Sequence, residues 1–178
     1  MQQNSSRTAL LGVLAAAAIA MQVLEAPLPR PLPWLKPGLA NSTTIVALLL
    51  FGLPSALLLI LVRQISANLL LGSLLSPSFL IGLMGSATAG VVMSITLKAG
   101  RQRLGLVSIS VLGALSNNLA QLLVVSSILE HSAVWYQLPF MMFASIPSGI
   151  LIGLLSSLIL ARIPPGLTGN SPQQGNIP

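Results

Sequence analysis

The sequence predicts an all-α, polytopic membrane protein built as a six-helix bundle. Of its 178 residues, 54% are hydrophobic and only 6% are charged. Soluble domains carry about a quarter charged residues, so this chain has too little charge to cover a water-facing surface. Apolar stretches recur from near residue 8 to near residue 161, each bounded by charges, Pro or Gly. In lipid every backbone N–H and C=O must be satisfied within the structure, and a helix does that segment by segment. The short alternating segments of a membrane barrel are absent.

The apolar runs place spans at about 8–24, 38–53, 54–75, 77–98, 105–129 and 136–161, in one transmembrane domain over 1–163. Residues 164–178, PPGLTGNSPQQGNIP, read as a disordered cytoplasmic tail. The first run follows Arg7 and continues to Leu24 without a polar cleavage region, which favours a retained helix over a cleaved signal. The second run is short, and is expected to tilt or to form a hairpin with the third through the turn signal Gly52-Leu53-Pro54. Pro77 and Pro139 fall near helix starts. Pro147 lies inside the sixth run, where a kink is expected. No internal repeat of the inverted-transporter kind is present.

The net charge of +6 and pI near 11.7 are better explained by membrane orientation than by nucleic-acid binding, because cytoplasmic loops collect Lys and Arg. Lys98, Arg101 and Arg103 make the densest basic loop, which should face the cytoplasm. Six spans then put both termini on that side, with Arg7 and Arg162 beside them. Trp34, Trp135 and Tyr136 fall on the opposite side, as interfacial aromatics. The expected location is a bacterial cell (inner) membrane. The stretch EAPLPRPLPWLKPGLAN, residues 25–41, becomes an outer loop whose prolines stiffen it, holding Glu25, Arg30 and Lys36 over the outer mouth.

Arg63 is the first candidate for chemistry. It sits in ALLLILVRQISANLLLGSLL, near the middle of a predicted span, where an unpaired charge is expensive and normally faces a partner, cavity or ligand. Gln64, Ser66 and Asn68 give its helix a polar strip. SNNLAQ, residues 116–121, follows in the fifth span. There Asn117 and Gln121 share a face at i, i+4, while Asn118 points about 100° away. Such amides serve either a ligand or hydrogen bonds between helices. Asn41, followed by Thr43 and Thr44, enters the second span as a cap or as a ligand contact on the same side as Lys36. Gly12, Ala16 and Ala20 repeat every four residues on one face of the first helix, where another helix can approach closely. Gly82, Gly85 and Gly90 suggest close packing in the fourth.

What the chain lacks narrows its chemistry. It has no Asp, and its two acids are Glu25 and Glu130. Magnesium-dependent work on diphosphates needs carboxylate clusters, and a proton relay needs intramembrane acids. There is no GxxxxGK[ST] phosphate loop. With no Cys and a single histidine, His131, no metal site is expected. No cofactor is expected either. The chain reads as a binding or accessory protein rather than a self-sufficient enzyme or pump. Its predicted ligand is a small organic anion, pairing with Arg63 because both acids are expected in outer loops.

The order LEAPLPRPLPWLKPGLAN, then Arg63 leading to LLLGSLLSPSFL, then GALSNNLAQLLV resembles the Gx transporter family. That family is often labelled heptaprenyl diphosphate synthase component I, and is similar to the membrane substrate-binding S-components of energy-coupling-factor transporters. The resemblance covers about residues 8–162. It implies a six-helix S-component-like fold with a ligand pocket near the outer face, and a first helix whose small residues dock a coupling subunit. The family's Gly-Leu-Ala-Asn element matches Gly38 to Asn41, its arginine matches Arg63, and Asn118 and Gln121 match its fifth-span amides. Asn117 stands where the family often shows His, which puts any imidazole contact in question. The pocket is therefore expected to be lined by Asn41, Arg63, Asn118 and Gln121, with Lys36 and Asn117 nearby.

Two functions follow from the resemblance. One is substrate capture for a small-molecule transporter, with a transmembrane coupling subunit and ATPase subunits as partners. The other is a non-catalytic membrane component of a heptaprenyl diphosphate synthase, with a separate prenyl synthase as partner. Membrane lipid surrounds the chain in both, and nucleic acid has no part in either. The predicted topology has a direct test. Ser6→Cys and Gln102→Cys, each in this cysteine-free chain, should resist a membrane-impermeant thiol reagent in intact cells; labelling of both from outside inverts the orientation.

Overall fold

The computed structural model describes residues 2–28, 38–100 and 104–164. Its helices are α1 (Gln2–Glu25), α2 (Asn41–Phe51), α3 (Leu53–Leu70), α4 (Pro77–Ala99), α5 (Leu106–Leu129) and α6 (Leu138–Arg162), with a 3-10 turn over Ser132–Gln137 before α6. No strand occurs among the described residues. Five helical segments are long and apolar enough to cross a membrane, so the chain forms an all-α polytopic bundle.

The second helix departs from expectation. α2 has 11 residues, a length of about 16 Å at 1.5 Å per residue, roughly half the ~30 Å apolar thickness of a bilayer. Nine of those 11 residues are buried. Its first half carries small polar side chains and its second half is apolar all round, the pattern of a helix buried on every side. It is a short central helix, with α1, α3, α4 and α6 packed on it. Ser42 and Thr43 bond back to the carbonyls of Leu39 and Ala40, at 2.6 and 2.8 Å, which keeps polar side chains tolerable in this interior.

The expected hairpin between the second and third runs is present. Gly52 ends α2 and precedes α3 at φ 82°, a backbone setting that favours glycine. Arg7 reaches this turn from the start of α1. Its Nη2 donates to the Leu50 carbonyl at 3.2 Å, and its guanidinium lies 5.5 Å from the Phe51 ring centroid. At the opposite end of the bundle, the amide of Leu39 donates to the Glu25 carboxylate, tying the end of α1 to the approach to α2. α3 stops at Leu70, short of the expected 75. Ser76 then caps α4 by accepting from the Phe79 amide at 3.3 Å, with Pro77 in the first turn.

Successive helices run back and forth between these two ends through α6. Arg7, Lys98 and Arg162 are exposed at one end, and Trp135 and Tyr136 at the other; the latter is called the Tyr136 end below. The buried core runs from Leu14 and Ala18 on α1 through Ile45–Leu48 on α2 to Met93, Ile109 and Ile152. Leu69, Phe143, Leu154 and Leu158 point outward, as lipid-facing side chains should. Pro147 lies inside α6.

α5 and α6 meet backbone to backbone. A Cβ on Gly149 would lie 2.5 Å from the Cα of Val111, and one on Gly153 would lie 2.7 Å from the Cα of Val107. Backbone cannot swing aside as a side chain can. Gly149→Ala and Gly153→Ala should each destabilise the bundle by about 1–3 kcal/mol, the usual cost of overpacking. A Cβ on Gly12 would meet nothing within 4 Å, so Gly12→Ala should leave unfolding unchanged. Thermal unfolding in detergent measures the contrast, and equal loss in all three would mean the close approach is absent.

Candidate functional site

Several of the polar residues that the bundle buries, Arg63 and Glu25 among them, line a cavity in its Tyr136 half. It is lined by Gln22 and Glu25 of α1, Gly38, Ala40 and Asn41 at the start of α2, Arg63 and Gln64 of α3, Gly82 and Ser86 of α4, and Asn117 and Gln121 of α5. Its volume is about 30 Å³, space for about two water molecules.

Arg63 is the centre of this cluster and is 2% exposed. Its Nη1 and Nη2 both donate to Asn41 Oδ1 at 3.3 Å, and Nη2 donates to Ser86 Oγ at 2.8 Å. Asn41 is therefore no helix cap: α2 has Ala40 at that position with no side-chain cap, and the Asn41 amide oxygen serves the guanidinium instead. Arg63 Nε has no partner among the described residues, and neither has Gln121 Oε1. Both atoms are closed to solvent and belong to residues that line the cavity.

Glu25 changes the electrostatics that the sequence predicts. Rather than standing in an outer loop, it ends α1, is 3% exposed and lines the same cavity as Arg63. The two opposite charges attract across it. Glu25 thus brings a negative charge to the cavity that Arg63 lines.

Supporting amides hold the cavity wall. Gln22 Nε2 donates to Gln64 Oε1, Asn68 Nδ2 donates to the Gln64 carbonyl at 2.7 Å, and Ser73 Oγ donates to Asn68 Oδ1 at 2.9 Å. Glycines on α4 make room for these side chains. A Cβ on Gly82 would come within 2.7 Å of Gln64 Nε2, and one on Gly85 within 2.7 Å of Asn117 Oδ1. Gly82 and Gly85 therefore open space for cavity amides, whereas a Cβ on Gly90 would meet Ile60 of α3 at 3.1 Å, the close helix packing expected there.

Of the residues proposed from sequence, Asn41, Arg63, Asn117 and Gln121 come together here. Asn118 does not. Its Nδ2 donates to Ser145 Oγ at 2.7 Å and to the Met141 carbonyl at 3.1 Å, so it joins α5 to α6 and faces away from the cavity. The 100° step between consecutive helix residues separates it from its neighbours. Its Oδ1 accepts a long hydrogen bond from Asn117 Nδ2, at 3.4 Å. Lys36 lies outside the described residues. Gly12, Ala16 and Ala20 are exposed on the outer face of α1 and touch no part of the site. Sequence reasoning missed Gln22 and Ser86. Gln22 had a signal, since it falls at i+4 from buried Ala18 and i+8 from buried Leu14; Ser86, a lone small hydroxyl, had none.

A family described as heptaprenyl diphosphate synthase component I matches residues 14–159. The chain belongs to that family. Every lining residue of the cavity falls inside the heptaprenyl diphosphate synthase component I match, as do the α5–α6 contacts. No curated protein and no solved structure gives a significant match.

Satisfied and unsatisfied amides predict opposite stability effects. Asn118→Leu breaks the bonds to Ser145 and Met141, and should cost about 0.6–1.7 kcal/mol, the range for interhelical polar contacts in membranes. Gln121→Leu removes an acceptor that has no partner, and should be near neutral or stabilising. Denaturant or thermal unfolding in detergent compares the two; a Gln121→Leu loss as large as that of Asn118→Leu would place Gln121 among the structural residues.

Proposed function

We propose that this chain is a membrane-embedded, non-catalytic binding component. Its buried cavity holds the polar end of a small molecule. The observation that carries the binding role is the pair of buried atoms left without partners on two residues that line one cavity, Arg63 Nε and Gln121 Oε1. Natural interiors seldom leave such groups without partners, because each costs desolvation that no bond returns. The family supports the assembly: a component I implies a second component, and this chain lacks the aspartates that diphosphate chemistry would need. The natural partner on this reading is the catalytic subunit of a heptaprenyl diphosphate synthase.

A second assembly, capture for a small-molecule transporter, is favoured by the position of the site. The cavity lies in the half of the bundle opposite Lys98 and Arg162, and basic loops mark the cytoplasmic side. That opens it toward the exterior, away from a cytoplasmic synthase. The exposed face of Gly12, Ala16 and Ala20 suits close approach by a coupling helix. Both termini are then cytoplasmic.

Purification from native membranes in mild detergent, with identification of the co-purifying chains, separates the assemblies. A prenyl synthase supports the first, and ATPase with a coupling subunit supports the second. Ala16→Leu or Ala20→Leu should leave the bundle folded while reducing recovery of a transmembrane partner. Undiminished recovery in both variants would remove the docking role from that face.

A further inference from the structure

The turn between α3 and α4 carries leucines where a water-facing loop carries polar side chains. We propose that this turn, residues 70–75 at the Tyr136 end, is a membrane-inserted anchor. Its leucines enter the edge of the acyl region of the leaflet at that end, and the partner it binds is phospholipid.

Three observations carry this. First, the apolar surface is continuous. Leu58, Leu61, Ile65 and Leu69 are exposed along α3, at spacings of three and four that keep them on one face, and α3 is among the helices apolar enough to cross a membrane. Leu70, Leu71, Leu74 and Leu75 are exposed as well, so the lipid-facing surface does not stop where the helix stops. Second, the turn has little to hold it in water. No charged residue occurs between Arg63 and Lys98, whereas the connection between α5 and α6 at the same end presents Glu130 and His131. The turn's hydroxyls are committed locally: Ser73 Oγ donates to Asn68 Oδ1 at 2.9 Å, and Ser76 Oγ to the Ser73 carbonyl at 2.6 Å. The amides of Leu71, Gly72 and Ser73 donate back to carbonyls of α3, at 3.0, 3.2 and 2.8 Å. Such pairing lowers the cost of bringing backbone close to lipid. Third, Leu75 is held outward. Its φ of 66° is left-handed, a setting that residues other than Gly, Asn and Asp seldom adopt, and its side chain is left 86% exposed. In water that arrangement would add exposed apolar area to backbone strain. In lipid, removal of the side chain from water offsets the strain.

Helix length sets the depth. From Pro77 to Lys98, α4 rises about 32 Å at 1.5 Å per residue, against roughly 30 Å of bilayer hydrocarbon. With Lys98 at one boundary, the turn before Pro77 falls at the other. Exposed Trp135 and Tyr136 at the same end suit that boundary too. The turn is also tied to the site. Asn68, which accepts from Ser73, donates to the Gln64 carbonyl at 2.7 Å, and Gln64 lines the cavity. The anchor thus holds the end of α3 that carries the cavity wall.

The test uses Leu75→Cys and Leu70→Cys, each in this cysteine-free chain, labelled with bimane and reconstituted at full length in phosphatidylcholine vesicles. Glu130→Cys, exposed at the same end, is the water-facing reference. Two quenchers are compared: a nitroxide on the upper part of a lipid acyl chain, and iodide present on both sides of the membrane. The probes at Leu75 and Leu70 should lose most of their emission to the nitroxide and little to iodide, and the probe at Glu130 should lose more to iodide. Either leucine site gives the reading if the other variant fails to fold. Iodide quenching at the leucine sites as strong as at Glu130 puts the turn in water and overturns the anchor. Protection from both quenchers overturns it as well, because protein, a second copy or another partner, then covers the leucines.

Discussion

An arginine held inside an apolar bundle is the constraint on which this structure depends. Arg63 cannot shed its proton at ordinary pH, and an uncompensated charge in a low-dielectric interior costs several kcal/mol. The chain answers with contributions from four other helices: Glu25 from α1, Asn41 from α2, Ser86 from α4, and the Asn117–Gln121 face from α5. Each donates a side chain at the depth of the guanidinium. The helices are thereby placed in register around one point, and the cavity is what remains where they fail to close completely.

The short second helix follows from the same demand. If α2 crossed the bilayer, its first turn could not sit at the level of Arg63. With 11 residues it starts there, delivering Asn41 to the guanidinium, and ends at Gly52, where the chain reverses into the helix that carries Arg63. The two residues are 22 apart in sequence and become neighbours because the hairpin folds between them. α5 and α6 contribute rigidity of another kind. Their contact is nearly bare backbone at Gly149 and Gly153, sealed by Asn118 on Ser145. α1 is the least enclosed of the long helices, with its small residues turned outward and Gln22 and Glu25 turned in. It is at once a wall of the site and an open face of the bundle.

Amides in this protein divide by whether they are satisfied. Asn68 and Asn118 have full local partners and act as joints; Gln121 keeps an oxygen with none, and lies on the cavity with Arg63. That distinction cannot be drawn from residue type, since Asn117 and Asn118 are identical and adjacent. The i, i+4 spacing of Asn117 and Gln121 pointed to the pair that shares the cavity, while the family resemblance pointed to Asn118 and Gln121, of which only Gln121 lines it.

The sequence alone determined the class of structure: its shortage of charge and its repeated apolar runs admit only a helical bundle in lipid, and a cation amid LILVRQIS must be served from within. It also determined the hairpin, because Gly52 before Pro54 is a turn in any context. Tertiary structure decided the rest. Glu25 stands beside a proline-rich stretch and reads as a loop acid, yet α1 continues through it and turns it inward, a placement fixed by α1 packing on α3. Whether α2 spans or is enclosed depended on how many neighbours surround it, which an apolar run does not record. The meeting of Glu25 with Arg63 on one cavity exists only once α1 and α3 are side by side, because electrostatic interaction depends on distance through space and not along the chain.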